Sequence, residues 1–410
     1  PLFLTTRGVH AWADNQDYFQ LFLAPLHAVK DSREALLLVH SLALFAPGFL
    51  VLLLLRKMPF QAIGASLFVW LSPFLINANL DLIHTESFAT VFLIGVYTCA
   101  KRGHVLGFIL CSLSALSCKE DVAFTYAMLM LLIYWKHNDF KISRSVALFG
   151  CITAICIFLT NFFWVLPNFK LATCQWLNPT FSIDRLDYAP TAPFFRTFFT
   201  DIQTAAFYQR MLGRPELGLY LLKLCWPLLL LGRAAWPFAL AIIPGVALNT
   251  ISNTGYYIEA YYHYDHSTFA AVIIALLWAL PRAKLPRTRA ILIGSTAVVL
   301  HLALPSWFRM HVTEMPQASW WVKATHPAVT TLELLREKLP SGLVISADYN
   351  SLNYLLNPAQ TVFMYENPIR RHYFGIYFVC EDLAAPPPVD LVIIRQSYDV
   401  KPEMDLLLSR

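Results

Sequence analysis

Residues 105–135 read VLGFILCSLSALSCKEDVAFTYAMLMLLIYW, in which the charges Lys119, Glu120 and Asp121 separate two apolar segments. Each segment has about 14 residues, fewer than the roughly 20 that cross a bilayer as a helix. Basic residues flank the whole stretch, Lys101-Arg102 before it and Lys136 after it. Short basic loops stay on the cytoplasmic side of a membrane. The stretch therefore predicts two short membrane helices whose charged turn lies on the opposite, outer face.

The composition of the whole chain is that of a membrane protein. Of the 410 residues, 57% are hydrophobic and only 14% are charged, unlike a soluble globular domain. The net charge of +5 is spread over loop junctions. We interpret it as a topology signal and expect no nucleic-acid partner.

Apolar runs predict about ten membrane helices in a helical polytopic bundle. They cover residues 35–55, 59–80, 88–100, 105–118, 122–135, 145–167, 218–232, 234–250, 267–280 and 290–307. Counted from an outer start, every lysine- and arginine-rich loop falls inside. The acids, histidines and tyrosines of the remaining loops fall outside.

Two segments outside these runs complete the predicted architecture. Within an outer loop at residues 168–217, residues 191–212 suit an interfacial helix, or equally an amphipathic helix packed on the protein's own surface. The tail has helical spacing at 327–339 and short apolar runs typical of strands at 342–346, 361–365 and 390–394. We predict a transmembrane domain at 1–309 and a small extramembrane α/β domain at 310–410.

The candidate site residues lie in the outer loops. Asp17 precedes the first predicted helix, where a carboxylate is suited to act as a general base or to bind a divalent cation, the ordinary alternative being a solvated loop acid. His84 stands between Asp81 and Glu86, and a carboxylate neighbour can hold a histidine protonated or orient it.

The turn at Lys119, Glu120 and Asp121 is drawn toward the membrane plane because its helices are short. Burial there would require Lys119 to pair with a carboxylate. A plain loop tip is the equal alternative.

Residues 256–266 read YYIEAYYHYDH. An aromatic belt accounts for the tyrosines, but not for His263, Asp265 and His266. With Tyr264 they suit contact with a sugar or a prenyl-phosphate headgroup, which we favour over a metal site. The cofactor is left open, a divalent cation included.

Five segments in order resemble a bacterial family of polytopic membrane proteins of unknown function, itself similar in architecture to the GT-C glycosyltransferases. Residues 116–124 (LSCKEDVAF) resemble its "KED" motif, residues 17–19 and 23–26 its "DHF…LAPL" segment, and residues 83–86 its "FHPE" turn. Residues 248–252 and 263–264 resemble its "NLLS…HY" segment, and residues 339–348 and 389–393 its outer α/β domain. Tyr18 and Thr85 depart from the family's usual histidine and proline.

The resemblance implies an enzyme of the bacterial inner membrane. It would move a sugar from a polyprenyl-phosphate donor to an acceptor on the non-cytoplasmic face, with membrane lipid as its surroundings. Asp17, Glu120 and Asp121 would be catalytic, an acid deprotonating the acceptor hydroxyl. His84, Glu86, Lys119, His263, Tyr264, Asp265 and His266 would bind substrate. The GT-C catalytic acid lies in the first outer loop, so it falls either before Pro1, where we expect a further helix, or at Asp14 or Asp17.

Two other classes of protein remain open. A transporter or flippase would need ionisable residues near mid-membrane, whereas Lys223 and Arg233 are predicted near helix ends. A non-catalytic scaffold would bind a partner through residues 310–410.

Overall fold

The computed structural model describes residues 3–4, 9–10, 17–28, 32–80, 84–165, 203–251, 265–283, 287–303, 331, 334–335, 337–340, 342–347, 361–364 and 390–393. These residues are mostly helical. The chain divides into two compact units, Asn15–Trp164 with Thr191–Glu314, and Pro1–Asp14 with Val165–Pro190 and Met315–Arg410.

The first of these units contains all the described helices of four or more residues. In chain order they are α1 Gln20–Leu23, α2 Ser32–Leu54, α3 Pro59–Trp70, α4 Pro73–Leu80, α5 Glu86–Arg102, α6 Val105–Cys118, α7 Val122–Trp135, α8 Arg144–Thr160, α9 Ala205–Leu212, α10 Glu216–Leu231, α11 Trp236–Ala239, α12 Ile243–Ile251, α13 His266–Ala279 and α14 Arg287–Ala303. Short 3-10 turns cover Ala24–Ala28, His137–Asp139, Gly232–Ala234 and Leu240–Ile242, and a π turn, Asn161–Val165, extends α8.

All ten predicted apolar runs contain helix, but fewer helices have the length of a span. Among the described residues, Glu34–Leu54, Arg144–Val165 and Glu216–Ala234 are long and apolar enough to cross a membrane. The run at 59–80 is broken into α3 and α4, which meet at 47° and would count as a fourth span if taken together. Pro73 accounts for the break, because proline lacks the amide hydrogen that would continue the helix.

Helix α13 lies at the centre of its unit, with every residue from His266 to Leu280 buried. It packs against α5, α10 and α11. A helix that is apolar on all sides is stable only when neighbours surround it. The outer helices α2, α6 and α8 instead leave large apolar side chains exposed, such as Leu42, Leu106 and Phe149, as is usual for helices that face lipid.

Glycines allow close helix crossings. A Cβ on Gly294 of α14 would lie 3.1 Å from the Cα of Gly64 in α3. Between α5 and α6, a Cβ on Gly107 would lie 2.9 Å from the sulfur of Cys99. Such small-residue contacts replace the hydrophobic driving force that is missing between helices in lipid.

Short strands occur in the second unit. Strands β1 (Phe3–Leu4) and β2 (Val9–His10) pair antiparallel, and β3 (Val344–Ala347), β4 (Thr361–Met364) and β5 (Leu391–Ile393) form a parallel sheet in the order β4-β3-β5. The last three overlap the apolar runs for which the sequence predicts strands. Most of residues 310–410 lie outside the described residues.

Candidate functional site

A buried ion pair joins two of the predicted site residues. The Nζ of Lys119, which follows α6, donates to the Oε1 of Glu86, the first residue of α5. The residues are 5% and 7% exposed. Buried charges need partners because desolvation costs several kcal/mol for each ion. Glu86 gains further stabilisation from its position in the first turn of a helix.

The residues before Glu86 fasten the start of α5 to the end of α6. The Thr85 hydroxyl donates to the carbonyl oxygen of Cys118 at 3.1 Å. Carbonyls in the last turn of a helix have no partner within it, so this bond satisfies one of them. The Nδ1 of His84 lies 4.0 Å from the Oε2 of Glu86, and His84 is half-buried.

Asp17 lies against the same two helix ends. The amide of Phe19 donates to the carbonyl oxygen of Ser117 at 2.8 Å, and the Nε2 of Gln20 donates to the Oδ2 of Asp17 at 2.8 Å. Burial raises the pKa of Asp17 to about 6, although the hydrogen bond from Gln20 and the charge of Lys119 favour the ionised form. We refer to Asp17, His84, Thr85, Glu86 and Lys119 as the Glu86 cluster.

The turn after Lys119 faces Tyr18. Burial raises the pKa of the Tyr18 phenol, and the negative charge of Glu120 raises it further. The Tyr18 hydroxyl donates to the Oδ1 of Asn161 at 2.7 Å. Glu120 and Asp121 are half-buried.

A second polar contact runs from the first turn of α5 into α13. The Ser87 hydroxyl lies 3.1 Å from the Nε2 of His266 and 2.9 Å from the Nε2 of His40 in α2. Thr90 donates to the carbonyl oxygen of His266 at 3.0 Å. All four residues are buried. We call His40, Ser87 and His266 the histidine bridge.

Asp265 belongs to a third group. Its Oδ1 accepts from the Tyr220 hydroxyl at 2.5 Å and from the Nδ2 of Asn249 at 2.9 Å. The three residues, which we call the Asp265 cluster, are buried. A carboxylate held by two donors suits a structural role or a fixed negative charge better than proton transfer.

The structure thus gathers several of the predicted site residues at one end of the helical unit. Asp17, His84, Glu86 and Lys119 share one cluster. His266 contacts Ser87, the residue after Glu86, and Asp265 directly precedes His266 in the chain. His263 and Tyr264 lie outside the described residues, as do Asp14 and Asp81. No group of three or more His, Cys, Asp or Glu side chains is placed to hold a metal ion among the residues that the structure describes.

Sequence reasoning missed His40, Ser87, Tyr220 and Asn249. His40 interrupts an apolar helix, and an ionisable residue within a membrane segment is by itself a signal of function. Lys223 was expected near a helix end, but it lies inside α10 and is buried. The helix begins at Glu216, two residues before the predicted run at 218–232, and this moves Lys223 further from the helix end.

At the opposite end of the unit, the basic loops meet. The Nη2 of Arg282 donates to the Oδ1 of Asp139 at 2.5 Å, and the amide of Lys141 donates to the carbonyl oxygen of Ala100 at 3.0 Å. The guanidinium of Arg282 also lies 3.4 Å from the centre of the Trp278 ring. The loops after α5, α7 and α13 therefore share one end, which we call the basic end.

Comparison with known proteins gives one match. A family model described as "Predicted membrane protein (DUF2079)" matches residues 5–367. No curated protein matches, and neither does any solved structure.

Proposed function

The chain belongs to this family of predicted membrane proteins of unknown function, and on that premise we propose that it is a membrane glycosyltransferase. It transfers a sugar from a polyprenyl-phosphate donor to an acceptor hydroxyl. The observation that supports the proposal is Asp17, a half-buried carboxylate with a pKa of about 6 beside the Lys119–Glu86 pair. A general base works best when its pKa lies near the working pH.

In this reaction Asp17 accepts the proton of the acceptor hydroxyl. The acceptor oxygen forms a bond to the anomeric carbon of the sugar, and the bond from that carbon to the phosphate oxygen breaks. The polyprenyl phosphate leaves with the electron pair of the broken bond. Lys119 stabilises the negative charge that develops on the leaving phosphate. Because Glu86 neutralises part of the Lys119 charge, Lys119 also serves to hold Glu86 and the helix ends in place.

The other candidate residues have supporting roles. His84, half-buried at the edge of the cluster, is suited to contact the phosphate. His263, Tyr264, Asp265 and His266 contribute to the binding of the donor, and Glu120 and Asp121 are further candidates for catalytic acids. The proposed location is the bacterial inner membrane, with the site on the non-cytoplasmic face of a GT-C-like bundle. Residues 310–410 form an extramembrane α/β domain on the same face.

A transfer assay tests the proposal. The purified full-length chain in liposomes is incubated with radiolabelled polyprenyl-phosphate monosaccharides and with extracted envelope lipids and glycans as acceptors. We expect label to move to an acceptor with the wild-type chain. The control variant Asp139→Asn, which removes a carboxylate at the basic end, should transfer label as well. Asp17→Asn should lower the rate about 100-fold or more. Label that stays on every donor would reject the enzyme.

One observation favours a second function, that of a proton-coupled transporter. The histidine bridge and Lys223 are buried in a helical unit, and buried ionisable residues in membrane helices often form proton relays. A transporter would move a labelled solute into proteoliposomes under a pH gradient, without a covalent product. His40→Phe would abolish that uptake, whereas a glycosyltransferase with His40→Phe would keep most of its transfer rate.

A further inference from the structure

A cavity at the basic end has features that the proposed function does not use. It has a volume of about 280 Å³ and lies between the end of α2, the last turns of α5 and the end of α13. Its lining includes Leu54, Leu55, Lys57, Met58, Tyr97, Thr98, Lys101, Arg102, Leu277 and Pro281. No acidic residue is among these lining residues, so the cavity carries net positive charge.

Three cationic side chains surround the cavity. Lys57 lies in the loop after α2, and Lys101 and Arg102 lie in the last turn of α5. Asp139, the acid that lies near Lys101, is already paired with Arg282. The attraction of lysine and arginine for anionic headgroups is strongest at a membrane surface, where they concentrate in basic loops.

Tyr97 supplies an independent observation. Its side chain is 2% exposed and lines the cavity, yet its hydroxyl has no hydrogen-bond partner among the described residues. Its ring is held by edge contacts with Phe140 and Phe238. Buried hydroxyls normally have a partner, and an acceptor bound in the cavity would provide one.

We propose that this cavity binds the phosphate of an anionic phospholipid. The phosphate oxygens accept from Lys57, Lys101 and Arg102 and from the Tyr97 hydroxyl, while Leu54, Leu55 and Met58 contact the apolar part of the lipid. The apolar residues of the lining favour a lipid over free phosphate, because inorganic phosphate has no apolar surface to bury against them. The site is separate from the Glu86 cluster, because it is formed by the opposite ends of α5 and α13.

The test compares lipid binding by the delipidated full-length chain in neutral detergent, measured by native mass spectrometry. The ligands are phosphatidylglycerol, phosphatidylcholine and inorganic phosphate. We expect phosphatidylglycerol to bind at least about tenfold more tightly than the other two. The double variant Lys101→Gln/Arg102→Gln should lose about tenfold in that affinity.

Two further variants separate the proposal from a general charge effect. Tyr97→Phe, which keeps the ring and removes only the hydroxyl, should weaken phosphatidylglycerol about threefold without lowering the melting temperature. Lys136→Gln/Arg144→Gln removes two basic residues that do not line the cavity and should leave the affinity unchanged. Equal binding of the two lipids, or an equal loss in this control, would overturn the site. Inorganic phosphate bound as tightly as phosphatidylglycerol would overturn its assignment to a lipid.

Discussion

At the scale of single residues, the Lys119–Glu86 pair shows what burial demands of a charge. The sequence predicts that a buried Lys119 needs a carboxylate but does not say which one. Glu120 and Asp121 are adjacent in sequence, yet the partner is Glu86, 33 positions away. The helix ends decide this, because α5 begins where α6 ends and the Thr85–Cys118 bond holds them together. A contact between distant segments of this kind leaves no mark in local sequence.

Removing one member of the pair is expected to be costly. Lys119→Met leaves Glu86 buried without its cation and should lower the free energy of unfolding by about 3–5 kcal/mol. Glu86→Met/Lys119→Met removes both charges and should be clearly more stable than the single variant. Lys136→Met, at the surface of the basic end, is the control. Thermal unfolding in detergent measures all three, and a Lys119→Met chain as stable as Lys136→Met would contradict the buried pair.

At the scale of the elements, apolar length and flanking charge predict helices well. The bounds of α6 and α7 agree with the predicted runs at 105–118 and 122–135, since Gly103, the charged turn and Lys136 mark their ends. The break between α3 and α4 was missed although Pro73 signals it, because apolar residues continue on both sides. How the helices pair could not be predicted: α6 packs mainly along α5 and α7 along α8, rather than with each other as a hairpin.

The crossing of α3 and α14 gives a prediction for helix packing. A side chain on Gly294 meets the backbone of Gly64, so Gly294→Leu should force the helices apart and destabilise the chain by about 1–3 kcal/mol or more. Gly218 in α10 has open space around it, and Gly218→Leu should change stability little. Melting temperatures of the two variants compare the sites. Equal effects would mean that α3 and α14 do not approach closely.

At the scale of the whole molecule, charge is sorted between two ends of the helical unit. The sequence predicts this sorting from its loops. In the structure the loops after α5, α7 and α13 meet at one end, where Arg282 pairs with Asp139, and Glu86 pairs with Lys119 at the other. Membrane insertion explains why lysine and arginine residues gather in the loops of the basic end. It does not account for the Glu86 cluster, because a loop at a membrane surface has no need to bury its charges.

The proposed orientation predicts labelling from opposite faces. Gln20 and Asn138 are exposed at the two ends, and single cysteines there should react with a membrane-impermeant maleimide from the non-cytoplasmic and the cytoplasmic side, respectively. Intact cells and inverted vesicles distinguish the sides. Reaction of both cysteines from the same side would refute the topology, and the wild-type chain with its native cysteines sets the background.

The most direct test of the proposed catalytic centre is the pH dependence of the proposed sugar transfer between about pH 5 and about pH 8. Only ionised Asp17 accepts a proton, and its pKa is about 6. The wild-type rate should therefore rise as the pH increases through about 6 and then level off, whereas Asp17→Asn should be slow at every pH. A wild-type rate that does not change across this range would contradict Asp17 as the base. So would an Asp17→Asn chain that transfers sugar at the wild-type rate.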